Sequence, residues 1–231
     1  MDSVILDNIA FRADVPQLLK MVHLEDDDGD DATAARTLAA EAEVIARPKA
    51  LYKIAYVDEK GDEHVTIDGI RLSSRVLRVN LDTAQRVFAY VATAGMELER
   101  WADSKEDILE RFWAEAIFLM ALRSASTHLS DHVQERYRPG MLARMNPGSL
   151  EDWPLRQQQP LFSLLGDVQG SIGVQLTDSY LMVPRKSVSG IMYPTEETFE
   201  SCQLCGREAC PNRRAPYDPG LFERKYSPAA T

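Results

Sequence analysis

What this sequence has little of narrows it first. Only three of its 231 residues are cysteine, and all three fall between Cys202 and Cys210, so no disulfide framework runs through the chain. Basic charge is in short supply: 26 Lys and Arg stand against 36 Asp and Glu, a net charge of -10. Such a surface repels phosphate backbones and anionic lipid, which argues against nucleic acid and membrane as partners. No long apolar run is present. The longest, Ala116 to Leu122, is far short of the ~20 residues that span a bilayer. The N-terminal stretch from Met1 to Lys20 sets Asp and Arg among its apolar positions and lacks the continuous apolar segment of a secretory signal. The expectation is therefore a soluble, cytoplasmic protein. Internal repeats and low-complexity tracts are missing as well. With 45% hydrophobic residues, the chain can still bury a full core.

The patterns that are present predict an α+β fold with a mainly antiparallel sheet and one dominant helix. Val15, Leu18, Leu19 and Val22 have helical spacing, with Pro16 tolerated in a first turn. The acidic run Glu25 to Asp31 follows; D-D-D-G-D-D lacks the spacing and closing Glu of an EF-hand loop, so it reads as a solvated loop. Alanines and Leu38 predict a helix from Asp31 to Ala46, stopped by Pro48. From Ala50 to Leu81 the pattern turns to strands, LYKIAYV, HVTI and RVLRVNL, separated by turns at Asp58–Asp62 and Asp68–Gly69. RVFAYVAT, Arg86 to Thr93, predicts a buried strand ending near Gly95. Ser104 is the expected N-cap of a long helix running to Tyr137, with a small polar middle, Arg123 to Thr127, and a stop at Pro139-Gly140. A short helix over Gln157–Leu165 and two strands, VQLTDSYLMV and SVSGIMY, complete the pattern. Three segments result: residues 1-80, an N-terminal elaboration of helices and meander; 81-200, the core; and 201-231, a cysteine-rich tail.

Two segments carry candidate binding chemistry. Arg144-Met145-Asn146-Pro147-Gly148 predicts a type II turn, because Pro fixes the second turn residue and Gly accepts the positive φ of the third. Such a turn exposes backbone groups, and Arg144 upstream has the fork to clamp a carboxylate. In the second segment, alternation places Thr177, Ser179, Ser187 and Ser189 on a common side.

In order and spacing, from about Arg144 to Tyr193, these segments resemble the activation domain of vitamin B12-dependent methionine synthase. That family has an R-P-A-P-G-Y turn, a helix with a W-x-L-L-like pattern, then L-T-E-S-x-x-M-x-P and S-V-S-G. Here the matching residues are R-M-N-P-G-S from Arg144, L-F-S-L-L from Leu161, L-T-D-S-Y-L-M-V-P from Leu176 and S-V-S-G from Ser187. The resemblance implies a site for S-adenosylmethionine built from Arg144, Asn146, Pro147, Gly148, Ser187, Ser189, Gly190 and Tyr193. The turn contacts the ligand's amino-acid end, and the S-V-S-G strand lines the pocket. Ser149 stands where the family has tyrosine, which removes stacking area. The resemblance also implies reductive reactivation: one-electron reduction of an oxidised cobalamin coupled to methyl transfer from S-adenosylmethionine, in support of methyltransferase activity. The sequence has no D-x-H-x-x-G corrinoid motif and no flavodoxin-like segment, so a corrinoid-binding protein or methyltransferase and an electron donor are expected partners.

Cys202, Cys205 and Cys210 form a C-x2-C-x4-C cluster. Two thiolates so spaced share one metal, and the third supplies another corner. An iron-sulfur cluster would supply an electron for the reductive step. Structural zinc and a redox-active Cys202/Cys205 dithiol are the alternatives. The alternative function is a non-enzymatic zinc- or iron-sulfur-binding adaptor of a corrinoid methyltransferase. His128 and His132, one helical turn apart, are outside candidates for a fourth ligand, although H-L-S-D-H reads first as a helix surface. Such a cluster looks like the C-terminal signature of shorter, stand-alone relatives of the activation domain.

Overall fold

The structure, a computed structural model, describes residues 3–25, 28–210 and 212–227. Its elements in chain order are β1 (Val4–Leu6), α1 (Val15–Met21), α2 (Asp30–Ile45), β2 (Lys49–Lys60), β3 (His64–Ile67), β4 (Ile70–Ser73), α3 (Arg75–Asn80), β5 (Arg86–Thr93), α4 (Met96–Asp103), α5 (Ile108–Tyr137), β6 (Leu142–Met145), α6 (Gln158–Leu165), α7 (Val168–Ile172), β7 (Gln175–Leu176), β8 (Met182–Val183) and β9 (Ser187–Pro194). The main sheet runs β4-β3-β2-β5-β9-β6, with β1 also on β2, and every pairing is antiparallel. This is the expected α+β architecture.

β2 and β5 pair from Lys49↔Thr93 to Tyr56↔Arg86, so the N-terminal segment supplies a central strand. Their shared sheet has two apolar faces, which is why RVFAYVAT is buried at seven of eight positions. Leu51, Ala89, Val91, Ile191 and Tyr193 face α3, α6, α7 and the tail, while Tyr52, Phe88, Tyr90 and Met192 face α5. The tail joins the first of these cores through Tyr226, which packs against Phe199.

α5 is roughly 45 Å long at 1.5 Å per residue and serves two partners. Trp113, Ile117, Phe118 and Ala121 pack against α1, α2 and α4, and Ala125, Leu129 and Val133 pack on the sheet. The small polar middle allows this approach: Ala125 is fully buried beside Tyr90 and Ala92. Arg138, in the left-handed region at φ 45°, ends the helix before Pro139. Among the described residues no helix is long and apolar enough to cross a membrane.

Three local expectations are corrected. Arg75–Leu81 is not a strand but the helix α3 and its C-cap. Ser74 Oγ accepts from Leu77 N at 2.9 Å, and Asp152 accepts from Arg75 N at 3.1 Å and Val76 N at 3.0 Å. Ser74 is thus the N-cap, and a carboxylate distant in sequence takes two more of the open N–H groups, which together override β propensity. Ser104 does not start α5. Its N–H closes α4 onto Arg100 O at 3.0 Å and its hydroxyl donates to Trp101 O at 2.7 Å, leaving Asp107 to accept from Leu109 N and Glu110 N. VQLTDSYLMV is not one strand but β7 and β8 folded back at Thr177–Tyr180, with Tyr180 N on Thr177 O at 2.9 Å and Tyr180 at φ 63°. The turn at Asp68-Gly69 has both residues at positive φ, 45° and 77°, as a tight hairpin demands. Of the acidic run, Asp26 and Asp27 lie outside the described residues, and Asp30 and Asp31 open α2, where the helix dipole favours them.

Candidate functional site

β6 stops at Met145, and Asn146–Ser149 turns away from the sheet. Ser149 N donates to Asn146 O at 3.1 Å, Gly148 has φ 85° as the third position of a type II turn requires, and Gly148 N donates to Trp153 O at 2.7 Å. The turn is pinned from behind. Asn146 Nδ2 donates to Tyr90 Oη at 2.7 Å and to Ser189 O at 2.7 Å, joining β5, β9 and the turn. Gly190 makes this approach feasible: a Cβ there would collide with Met145 O and come within 2.6 Å of Asn146 Nδ2. Burial pushes the Tyr90 phenol pKa up, opposed by the nearby guanidinium of Arg144, the Asn146 hydrogen bond and Arg214.

β6 covers β9 only from Ile191 to Pro194, so the edge of β9 from Ser187 to Gly190 is open on that side. Ser189 directs its carbonyl there, and antiparallel alternation sends the backbone groups of Ser187 the same way. A cavity of about 560 Å3 lies along this edge, lined by Asn146–Ser149, Gln158, Thr177, Leu181, Arg185 and Ser187–Ser189. Ser189 Oγ donates to Gln158 Oε1 at 3.1 Å; Ser187 Oγ donates to Pro184 O at 2.7 Å and lies 2.8 Å from Thr93 Oγ1. Arg185 is held by Asp103 at 2.9 Å and by Glu115, and its guanidinium carbon sits 5.3 Å from the Phe118 ring centroid.

Of the residues expected at a binding site, Asn146, Pro147, Gly148, Ser187 and Ser189 converge on this cavity, and Gly190 lies directly behind it. Thr177 joins them through the β7–β8 hairpin rather than by sharing a strand face, and Ser179 bonds back to Thr177 at 3.1 Å. Arg144 and Tyr193 are not among the lining residues. Arg144 points to the α5 side of the sheet, where its guanidinium donates to Ser130 Oγ. Tyr193 is buried in the opposite core, and burial raises its phenol pKa. Tyr90, Gln158 and Arg185 carry no local sequence signal. Asn146 was legible as a turn residue, but the two bonds from its amide were not.

The cysteine loop is organised by one side chain. Arg213 donates to the carbonyls of Cys202 at 3.0 Å, Cys205 at 3.2 Å, Ala215 at 3.4 Å and Arg207. Arg214 N donates to Cys202 Sγ at 3.4 Å, and this bond holds the Cys202 thiol below the usual range. Among the described residues, no three His, Cys, Asp or Glu side chains are grouped to hold a metal. His132 instead lies 3.1 Å from Tyr52 Oη, and burial lowers its pKa. A second cavity, about 1030 Å3, separates the loop from the Gly148–Leu155 segment and is lined by Cys205, Tyr217 and Phe222 on the tail side.

Comparison with known proteins meets this geometry at the same elements. Residues 123–208, from the middle of α5 into the cysteine loop, match the family model described as vitamin B12 dependent methionine synthase, activation domain. Among solved structures, the crystal structure of the MetH reactivation domain bound to AdoHcy superposes with a TM-score of 0.61 at 16% identity, covering 87% of this chain and 81% of that chain. Among curated proteins none matches the sequence. Residues 123–208 are thus similar to the activation domain of vitamin B12-dependent methionine synthase, and the chain that carries them has the fold of the MetH reactivation domain.

Proposed function

We propose that this chain binds S-adenosylmethionine along the open edge of β9 and takes part in reductive methylation of a corrinoid held by a partner protein, with residues 81-200 as the ligand-bearing core. One observation carries the reading: the Asn146–Ser149 turn and the Ser187–Ser189 strand, distant in sequence, share one cavity. Open backbone N–H and C=O groups on a strand edge suit the amino and carboxylate groups of an amino-acid ligand. The guanidinium charge of Arg144, felt by Tyr90, favours a carboxylate near Asn146, whereas Arg214 is paired with Glu200. In this reading Arg144 acts at the root of the turn by charge, and Ser189 and Gln158 fix the wall. A corrinoid on a partner would supply the cobalt that receives the methyl group, with the electron coming from a separate donor. The residues here orient the methyl donor and exclude water from it.

Calorimetry with S-adenosylmethionine is the test. Binding that falls about tenfold or more in Asn146→Ala, and less in Arg144→Lys than in Arg144→Ala, is the expected result. A wild-type protein that binds no ligand removes the assignment.

A second reading, an adaptor carrying zinc or an iron-sulfur cluster on Cys202, Cys205 and Cys210, is favoured by the N–H donated to Cys202 Sγ, a bond that suits a thiolate. The described arrangement does not itself gather a metal set, so no step is assigned to a metal. Metal analysis and a visible spectrum of anaerobically purified protein decide it. Visible absorption that bleaches on reduction marks a cluster, stoichiometric zinc without colour marks the adaptor, and protein free of metal rejects both.

A further inference from the structure

Single exposed rings are ordinary on a protein surface, whereas two that enter one concavity call for a reason. Tyr217 and Phe222 are 49% and 38% exposed, and both line the 1030 Å3 cavity whose far wall is formed by Gly148, Ser149 and Leu155. Those three residues also line the smaller cavity at the β9 edge, so the two spaces share the turn as a common wall. On the turn side the wall is Gly148, Ser149, Leu150, Pro154 and Leu155, aliphatic surface that carries no aromatic ring. The stacking surface is on the tail.

We propose that Tyr217 is the aromatic wall of the ligand site, stacking on the ring system of a nucleoside-bearing amino acid whose amino-acid end lies along β9. The proposal rests on the reading of the β9 edge as a ligand site and adds a specificity-determining residue from the cysteine tail. A stacking residue works best when its backbone is fixed beforehand, because less freedom is lost on binding. Tyr217 meets that condition. Its ring lies beside Gly206, with Cζ 4.0 Å from where a Cβ would stand, which is ordinary van der Waals distance. The next residue, Asp218, donates its N–H to Gln203 O at 2.9 Å, and Arg213 grips Ala215 O two residues upstream. Downstream, Tyr226 is fully buried and donates to Asn80 Oδ1 at 2.9 Å, so the segment is tied to the core at its far end. Cys205 lines the same cavity, which places the loop that carries the thiols against the bound ring.

The test is calorimetric titration of S-adenosylhomocysteine and of S-methylmethionine, which lacks the nucleoside, into wild type, Tyr217→Ala, Tyr217→Phe, Asn146→Ala and the double variant Ser149→Tyr with Tyr217→Ala. Removing the ring should weaken S-adenosylhomocysteine about tenfold, with Tyr217→Phe close to wild type and S-methylmethionine unaffected. A tyrosine at Ser149, facing the same cavity, should recover most of the loss. Unchanged affinity in Tyr217→Ala beside a loss in Asn146→Ala overturns the role of the tail and leaves the β9 edge standing. Absence of any binding by wild type overturns both. Equal losses for the two ligands in Tyr217→Ala also overturn the proposal, because they would mean a general disturbance rather than a lost ring contact.

Discussion

The β9 edge and the cysteine loop face each other across one turn, yet they are held by opposite means. At the edge, position comes from sheet register: Asn146 reaches Tyr90 and Ser189 because β5, β9 and β6 fix where those atoms lie and Gly190 leaves room. In the loop, register plays no part, and one guanidinium gathers four carbonyls. The edge should therefore fail only with the sheet, and the loop should open alone. Sites built on rigid elements fix geometry, while loops of few buried contacts open locally at low cost.

The largest effect should come from breaking the edge. Gly190→Val places a branched side chain against Met145 O and Asn146 Nδ2, so β6 must move away from β9. Overpacking of this kind costs about 1–3 kcal/mol, and here the clash is with backbone, which puts the loss at the upper end or beyond. Chemical denaturation should show that loss as a lower midpoint, and ligand binding should disappear with it. A midpoint within experimental error of wild type would mean that β6 and β9 are not held in the close register described.

Arg213→Ala should have the contrary pattern. The carbonyls it releases can turn to water, so global stability should change by less than about 1 kcal/mol. Thiol labelling of Cys202 and Cys205 should accelerate several-fold as the loop loosens. Slow labelling in the variant would show that the remaining ties, Arg214 to Glu200 and Asp218 N to Gln203 O, hold the loop without Arg213, and a large fall in the unfolding midpoint would erase the contrast between the two regions.

How much of this was readable from sequence follows the same division. The antiparallel α+β class, α2, the body of α5 and the turn at Asp68-Gly69 were legible because each is encoded by neighbours. The turn at Pro147-Gly148 and the serines of β9 were legible for the same reason. Two failures were local, the cap at Asp107 and the turn at Thr177–Tyr180, where competing short-range signals had to be ranked; the others depended on distant partners. Val76, Leu77 and Val79 look like part of a strand until Ser74 and Asp152 together cap them as a helix. Arg144 and Met145 are adjacent, but a strand sends them to opposite faces, so which face Arg144 took could be known only from the pairing of β6 with β9. Tyr90 and Gln158 come from elements with no binding pattern of their own, and only the fold brings them to Asn146 and Ser189. In the tail the cysteine spacing was plain, while the grip of Arg213 depends on loop conformation that no periodicity encodes.

Tyr90→Phe asks how much of the edge depends on a single buried bond. It leaves the ring in place and removes the hydroxyl that accepts from Asn146 Nδ2. Asn146 keeps Ser189 O as a partner, so the loss should be about 1 kcal/mol, the net value of one hydrogen bond. Ligand affinity should fall a few-fold while thiol labelling of the loop stays at the wild-type rate. If labelling also accelerates, the turn transmits strain to the loop and the two regions are not independent.

The smallest effect separates the regions by pH. Burial pushes the Glu115 carboxyl up, but hydrogen bonds from Arg185 and Lys186 and their charges outweigh it and hold the pKa below the ordinary 4.5. A carboxylate depressed by folding contributes stability that is complete above its unfolded value and is lost as pH falls through the folded one. The contribution of Glu115 should thus be present at neutral pH and fade below about pH 4.5. It is modest, because Arg185 and Glu115 are both about one-third exposed and solvent screens the pair. In Glu115→Gln the acid limb of the stability profile should be flatter than in wild type, with the two curves converging at the lowest pH. Arg185 lines the β9 cavity, so ligand affinity should weaken over the same acid range in wild type and less so in the variant. If both proteins lost affinity in parallel as pH fell, the acid sensitivity would have to come from groups other than the Arg185 cluster.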